Sequence, residues 1–377
     1  MRKIVSAVMF LCVACSTDLQ AVEPSTKHVV VYQEEGRFGG WPANHGIWSW
    51  GDEILVGFSQ GYYQDRGPYH HIDKQKPEEY KLARSKDGGL TWTVETPQPP
   101  GALLGTSGMR HGLMPEGTTD EKLLDLKEPI NFTHPDFAMT LRMENTNAGV
   151  SRFSYSYDRG KTWRGPYRLP LFGLPGVMAR TDTIINGPHD CHLILTGSKA
   201  NAKEGRTFAA RTTDGGLTWR FLGFIGPEPS GYAIMPSTVR ISPTELVTTV
   251  RRADSPKSWI DAYISHDDGL SWAMLATPEP DAGEGNPPSL LKLPDERLIL
   301  VHGQRSQPFG IRARLSSDQG KTWSEPHYLR DDAGGRDIGY VRSIIRPDGK
   351  IVSVYYYHDR TSPSRYIAAT IWDPNAF

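Results

Sequence analysis

An eight-residue phrase occurs five times in this chain. The copies are Ser85-Lys-Asp87-Gly-Gly89-Leu-Thr91-Trp92, Ser156-Tyr-Asp158-Arg-Gly160-Lys-Thr162-Trp163, Thr212-Thr-Asp214-Gly-Gly216-Leu-Thr218-Trp219, Ser265-His-Asp267-Asp-Gly269-Leu-Ser271-Trp272 and Ser316-Ser-Asp318-Gln-Gly320-Lys-Thr322-Trp323. Each follows an alternating run such as Ile311-Arg-Ala-Arg-Leu315, so each is read as a hairpin turn. Asp accepts hydrogen bonds from its own turn and Gly supplies a positive φ. Thr and Trp begin the return strand, where β-branched and aromatic side chains pack well. The Trp is large enough to fill a gap between neighbouring sheets.

The template Ser/Thr-x-Asp-x-Gly-x-Thr/Ser-Trp is the pattern called the Asp-box. The chain resembles the sialidase (neuraminidase) superfamily of β-propellers. The resemblance implies an all-β fold, a six-bladed β-propeller, with the box turns away from the active site. Spacing agrees with repeated four-stranded units, since the box aspartates fall at 87, 158, 214, 267 and 318. A second repeat marks the blades. Leu291-Lys-Leu-Pro-Asp-Glu-Arg-Leu-Ile-Leu-Val301 matches Ile344-Ile-Arg-Pro-Asp-Gly-Lys-Ile-Val-Ser-Val354, and Val239 to Val250 is the same strand–turn–strand unit. The expected blades run from Trp41 to Trp92, Phe137 to Trp163, Thr181 to Trp219, Ile234 to Trp272 and Asn286 to Trp323, with a sixth starting near Tyr340. The strand His28-Val-Val-Val-Tyr32 is expected to complete the sixth and close the ring, within a propeller domain of residues 28–377. Long insertions lie at Ser59 to Tyr80 and Pro97 to Pro135, where sites tend to be built.

A ring of small sheets explains how 377 residues fold without one oversized core. The 42 basic and 43 acidic residues nearly cancel, so nothing points to a nucleic-acid partner. Met1 to Cys15 has a basic start and a short apolar run, expected to be an export signal cleaved after Ala21 and too short for a membrane span. Val13-Ala14-Cys15 faintly resembles a lipoprotein signal, with Cys12 a poor fit, so a lipid anchor at Cys15 is the alternative. The expected location is secreted or periplasmic, and the expected state a monomer. After cleavage only Cys191 remains, read as a small buried hydrophobe. Asn131-Phe-Thr133 is a glycosylation sequon.

The resemblance implies an exported exo-acting glycoside hydrolase for terminal sialic acid, with no cofactor. Sialic acid carries a carboxylate on its anomeric carbon. Clustered Arg would bind that group, and an anionic nucleophile would be repelled, which favours a Tyr. The implied machinery is an arginine triad, a Tyr nucleophile, a Glu that activates it and an Asp acid/base. Tyr340, ahead of Pro347-Asp348-Gly349, matches the nucleophile; its ordinary reading is a half-buried aromatic at a strand start. Arg251 or Arg252 and Arg305 end second strands where the family has arginines; each is otherwise a surface residue or an inter-blade ion pair.

Two positions depart from the family. Gly40 stands at the first triad Arg, leaving Arg37 as a substitute, and Met235 stands at the activating Glu, leaving Glu284 as a candidate. Asp65 and Asp73 compete for the acid/base role. His70 and His71, in His70-His71-Ile-Asp73, are read as substrate-binding, with metal ligation and an ordinary solvated loop the alternatives. Trp41, Trp48, Trp50, Tyr62, Tyr63 and Tyr69 would suit stacking on a sugar, although blade packing explains Trp48 and Trp50 equally. The alternatives are a hydrolase for another acidic or sulfated sugar and a non-catalytic glycan-binding propeller.

Overall fold

A computed structural model describes residues 26–98, 103, 110–119 and 122–376. The export signal and Cys15 lie outside the described residues. The chain forms six antiparallel sheets arranged as a six-bladed β-propeller. Blades four and five are simple meanders, Tyr232–Arg240 to Ala273–Glu279 and Ser289–Lys292 to His327–Arg330. In blades one and three the inner strand is split, into Arg37–Gly40 and Ile47–Trp50, and into Val177–Met178 and Thr183–Gly187.

The sixth blade closes as expected. Its strands Gly339–Ile345, Ile351–Tyr357 and Tyr366–Trp372 accept Thr26–Tyr32 as the outer strand, with Thr26 opposite Trp372. Joining the two ends of the chain in one sheet leaves the ring without an open seam.

The second blade departs from the four-stranded expectation. Among the described residues it has three strands, Ala138–Arg142, Arg152–Ser156 and Arg164–Arg168. Its neighbours satisfy the bare inner edge. The Trp48 indole donates to the Met139 carbonyl at 3.2 Å, and the Leu141 amide donates to the Thr181 hydroxyl at 3.1 Å. Buried backbone groups need such partners wherever a strand is missing.

The core is distributed over the seams between blades. Leu55 and Leu82 pack with Ala138 and Trp163 between blades one and two, and Phe153 packs with Leu193 and Phe208 between two and three. Ile194 and Val250, then Val247 and Leu298, fill the next two seams. Val301 with Tyr355, and Phe58 with Val354, complete the circuit. Cys191 is fully buried in one of these seams.

All five repeated turns have one structure. In the copy at Asp214, the Thr212 hydroxyl donates to Oδ1 at 2.7 Å, the Thr218 amide to Oδ1 at 3.0 Å and the Thr218 hydroxyl to Oδ2 at 2.6 Å. The Gly at the fifth position of each phrase has φ between 76° and 93°. In four copies the indole donates to that Gly carbonyl at 2.9–3.1 Å, whereas Trp219 Nε1 has no partner. The turns lie where third strands end. In blade four Ser265 pairs with Leu246, the start of the second strand, while Arg251, toward its end, pairs with Ile260. The turns and the second-strand ends are therefore at opposite ends of the blades.

A candidate active site around Tyr340

Three inner strands start with a backbone kink of the same kind. Trp41, Met235 and Tyr340 have φ of 59°, 52° and 51°. The ladder breaks between Ile234 and Ser237 and between Gly339 and Arg342, and in blade one it is interrupted by the turn Pro42–Asn44. A left-handed conformation is costly for a residue with a side chain and persists where the surroundings impose it, often at functional sites. The Tyr340 amide is pinned by the buried Asn286, whose Oδ1 accepts it at 2.8 Å.

The kink presents the half-buried Tyr340 ring to a group of guanidiniums. Arg251 Nη1 lies 3.4 Å from its hydroxyl, and the Arg305 guanidinium sits 5.4 Å from its ring centre. Arg251 and Arg305 are only 9% and 5% exposed. Neither has a carboxylate ion-pair partner among the described residues: Arg305 bonds the carbonyls of Ile338 and Gly285 and the Tyr356 hydroxyl. Arg251 Nε has no hydrogen-bond partner among the described residues, and its Nη1 faces the Met235 sulfur at 4.0 Å. Arg180 contributes from the start of blade three, held by Asn44 at 3.2 Å and Glu204 at 2.7 Å. Burial would raise the Tyr340 phenol, but the charges of Arg251, Arg305 and Arg180 prevail and hold it below its ordinary value. Such a phenol ionises more readily than a free one, and the guanidiniums around it can seat an anion.

A second cluster adjoins the first through Tyr356. Its hydroxyl donates to Asp337 Oδ1 at 2.7 Å and accepts from Arg305 at 2.6 Å. Asp337 is 2% exposed and also meets His70 Nδ1 at 2.6 Å, the His71 amide at 3.2 Å and Arg365 Nε at 3.1 Å. Burial opposes its charge, yet the His70 contact and the charges of His70, Arg365 and Arg305 hold the carboxyl far below its usual range. Trp41 packs beside His70 and stacks on His111, with ring centres 5.3 Å and 4.2 Å apart. Glu78, itself buried, fixes the His111 segment by accepting the amides of His111 and Gly112 at 2.6 Å and 2.9 Å. A cavity of about 410 Å³ opens here, lined by Arg66, Tyr69, His70, Lys74, His111 and Arg336. Tyr340 is not among its lining residues.

The remaining expected site residues stand elsewhere. Arg252 points to the other face of its strand, bonding Asp261 and the Tyr263 hydroxyl at 2.8 Å and 2.7 Å, because successive strand residues alternate. Arg37 lies over the Tyr62 ring at 4.0 Å, and its charge acts on Tyr32, so it does not join the guanidiniums at Tyr340. Glu284 does not turn inward; it is exposed and pairs with Arg336. Asp65 is exposed and holds the Gly67 amide and His71, while Asp73 accepts from the Gln75 amide at 2.9 Å. Both are loop-capping carboxylates. His70 and His71 diverge, one to Asp337 and the other to Asp65. No motif marked Arg180 or Glu78. Asp337, three residues before Tyr340, had only its proximity as a signal.

Below the site, Asp182 is buried on the wall of the central channel and accepts from the Thr238 hydroxyl and amide at 2.9 Å and 3.3 Å. Burial pushes its carboxyl up to about 7, against the opposing charge of Arg342. A raised pKa in the folded state means that folding favours the proton. Stability from this group is present below 3.8 and is lost as pH rises toward 7. Asp182→Asn should therefore reduce the fall in Tm between pH 5 and pH 8, read by thermal melts at both values.

Residues 114–353 match the family described as BNR repeat-like domain. A search of curated proteins finds no match. Among solved structures, a protein of unknown function from Dyadobacter fermentans superposes with a TM-score of 0.68 at 19% identity, covering 92% of this chain and 99% of that one. The NanB sialidase of Streptococcus pneumoniae gives 0.61 at 12% identity, covering 92% and 70%. An α-L-arabinanase of Penicillium chrysogenum gives 0.57 at 13%, covering 93% and 99%. These likenesses concern the propeller itself. With more than half of its length inside the match and its repeated turns built alike, the chain belongs to the BNR repeat-like family, on a sialidase-like propeller.

Proposed function

We propose that this protein is an exported glycoside hydrolase that releases a terminal acidic sugar, of the sialic acid type, from glycoconjugates. The observation that carries the reading is the pair of buried guanidiniums at Tyr340, Arg251 and Arg305, which have no carboxylate partner among the described residues. An unpaired buried charge is costly, so an anionic ligand would compensate it. The sugar carboxylate meets Arg251 and Arg305, and Tyr340 is the nucleophile. Met235 offers no carboxylate to activate the phenol; the three arginines lower its pKa instead. Sialidase and arabinanase propellers among the structural neighbours support glycoside hydrolysis as the chemistry.

Met235 also favours a second reading, a propeller that binds acidic glycans without turnover. Fluorogenic glycosides of sialic, glucuronic and galacturonic acid distinguish the two. Release by the mature protein that disappears in Tyr340→Phe supports hydrolysis. Retained glycan binding without release favours the second reading, and equal release by both proteins removes Tyr340 from its role.

A further inference from the structure

The phenol accounts for attack on the sugar but not for the proton that the leaving oxygen needs. The expected donors, Asp65 and Asp73, are engaged in capping their own loop turns. His70 is different. Its Nδ1 is anchored on a carboxylate that is itself almost wholly buried, and its ring is one third exposed on the cavity beside the site. Asp337 is held ionised by Arg365 and Tyr356 as well, so it acts as a fixed acceptor. A carboxylate in that position selects the Nδ1–H tautomer, leaving Nε2 as the working nitrogen. Trp41 beside the ring limits how it can turn. The Asp337 oxygen that meets His70 also accepts from Tyr356, which bonds Arg305. Arg305 in turn sits 5.4 Å from the Tyr340 ring centre, so the chain of contacts from the imidazole ends on a cation beside that ring.

We propose that His70 is the general acid/base of this site, with Asp337 as its positioning residue. This rests on the acidic-sugar hydrolase reading above. In the first step the Tyr340 phenolate oxygen bonds to the anomeric carbon while the glycosidic C–O bond breaks, and the imidazolium Nε2–H passes its proton to the departing oxygen. In the second, water attacks the anomeric carbon, neutral His70 takes the water proton, and the phenolate leaves. The net change is addition of one water across the glycosidic bond. Arg66, Lys74 and Arg336 line the cavity that His70 faces, so the leaving-group side of the substrate would meet cationic groups.

The test compares two glycosides of one acidic sugar, a methylumbelliferyl glycoside that departs without help and an alkyl glycoside that needs protonation. His70→Gln is expected to lower kcat/KM on the alkyl glycoside by about 10²–10⁴-fold and to leave the aryl glycoside within about tenfold. Asp337→Asn should shift in the same direction, with a smaller loss. Tyr340→Phe should lose both substrates. Equal losses on both substrates in His70→Gln, or no loss, overturn the acid/base role while leaving the hydrolase reading intact. If the wild-type protein cleaves no acidic-sugar glycoside, both proposals fall.

Discussion

Replacing Arg251 by alanine is expected to lower kcat/KM on acidic-sugar glycosides by about 10²–10³-fold, the loss that follows removal of one preorganised donor at a site of developing charge. The same substitution should raise the pKa of one tyrosine. In the wild-type protein burial opposes ionisation of Tyr340, and Arg251 is the largest of the three charges that overcome it. Without Arg251 that balance shifts toward the neutral phenol. The chain has 16 tyrosines, so the measurement is a difference: the phenolate absorbance titration of each protein minus that of its Tyr340→Phe counterpart. The early-ionising tyrosine should be present in the wild-type difference curve and shifted to higher pH in Arg251→Ala. An unchanged curve would mean that Arg305 and Arg180 suffice. Arg252→Ala is the control on the adjacent residue, because its partners are Asp261 and Tyr263 rather than the phenol.

Asp337→Ala is expected to destabilise the fold by about 3–5 kcal/mol, the usual consequence of removing one member of a buried ion pair. Arg365, 5% exposed, would lose its carboxylate, and His70, Tyr356 and the His71 amide would lose their acceptor. Denaturant melts at neutral pH measure this directly. The sign of the pH dependence is opposite to that of Asp182. A carboxyl depressed in the folded state contributes stability that is fully present above the unfolded value and is lost as pH falls through the folded one. The wild-type advantage over Asp337→Ala should thus hold across the neutral range and shrink only in strong acid. A loss below about 1 kcal/mol would show that water replaces the carboxylate there.

Much of the fold was legible because its determinants are local. Each Asp-box closes its own turn with side chains two and four residues away, so eight residues specify it. The Pro/Asp/Gly hairpins likewise mark strand pairs within a dozen residues. Even the closure of blade six by Thr26–Tyr32 could be anticipated, since five boxes left one blade without an outer strand. That blade two has only three strands among the described residues was not legible. Its edge is satisfied by Trp48 and Thr181 from the neighbouring blades, and no local pattern encodes that.

The site divides in the same way. Tyr340, Arg251 or Arg252, and Arg305 could be picked out from repeat position. Choosing Arg251 over Arg252 required the pleat, because neighbouring strand residues face opposite sides. Arg37 and Glu284 looked suitable by sequence proximity, yet one packs on Tyr62 and the other pairs with Arg336 on the exposed rim. Arg180, Glu78 and Asp337 carry no motif, and their importance comes from burial and partners far away in sequence.

The amino-acid sequence by itself determined the blade count and the ring closure, because repeats and turns are short-range features. Only the tertiary structure decided which charges surround the Tyr340 phenol and which carboxylate orients a histidine toward the cavity. Those are sums of burial and distance over residues from different blades, such as the 267 positions between His70 and Asp337, and no local pattern contains them.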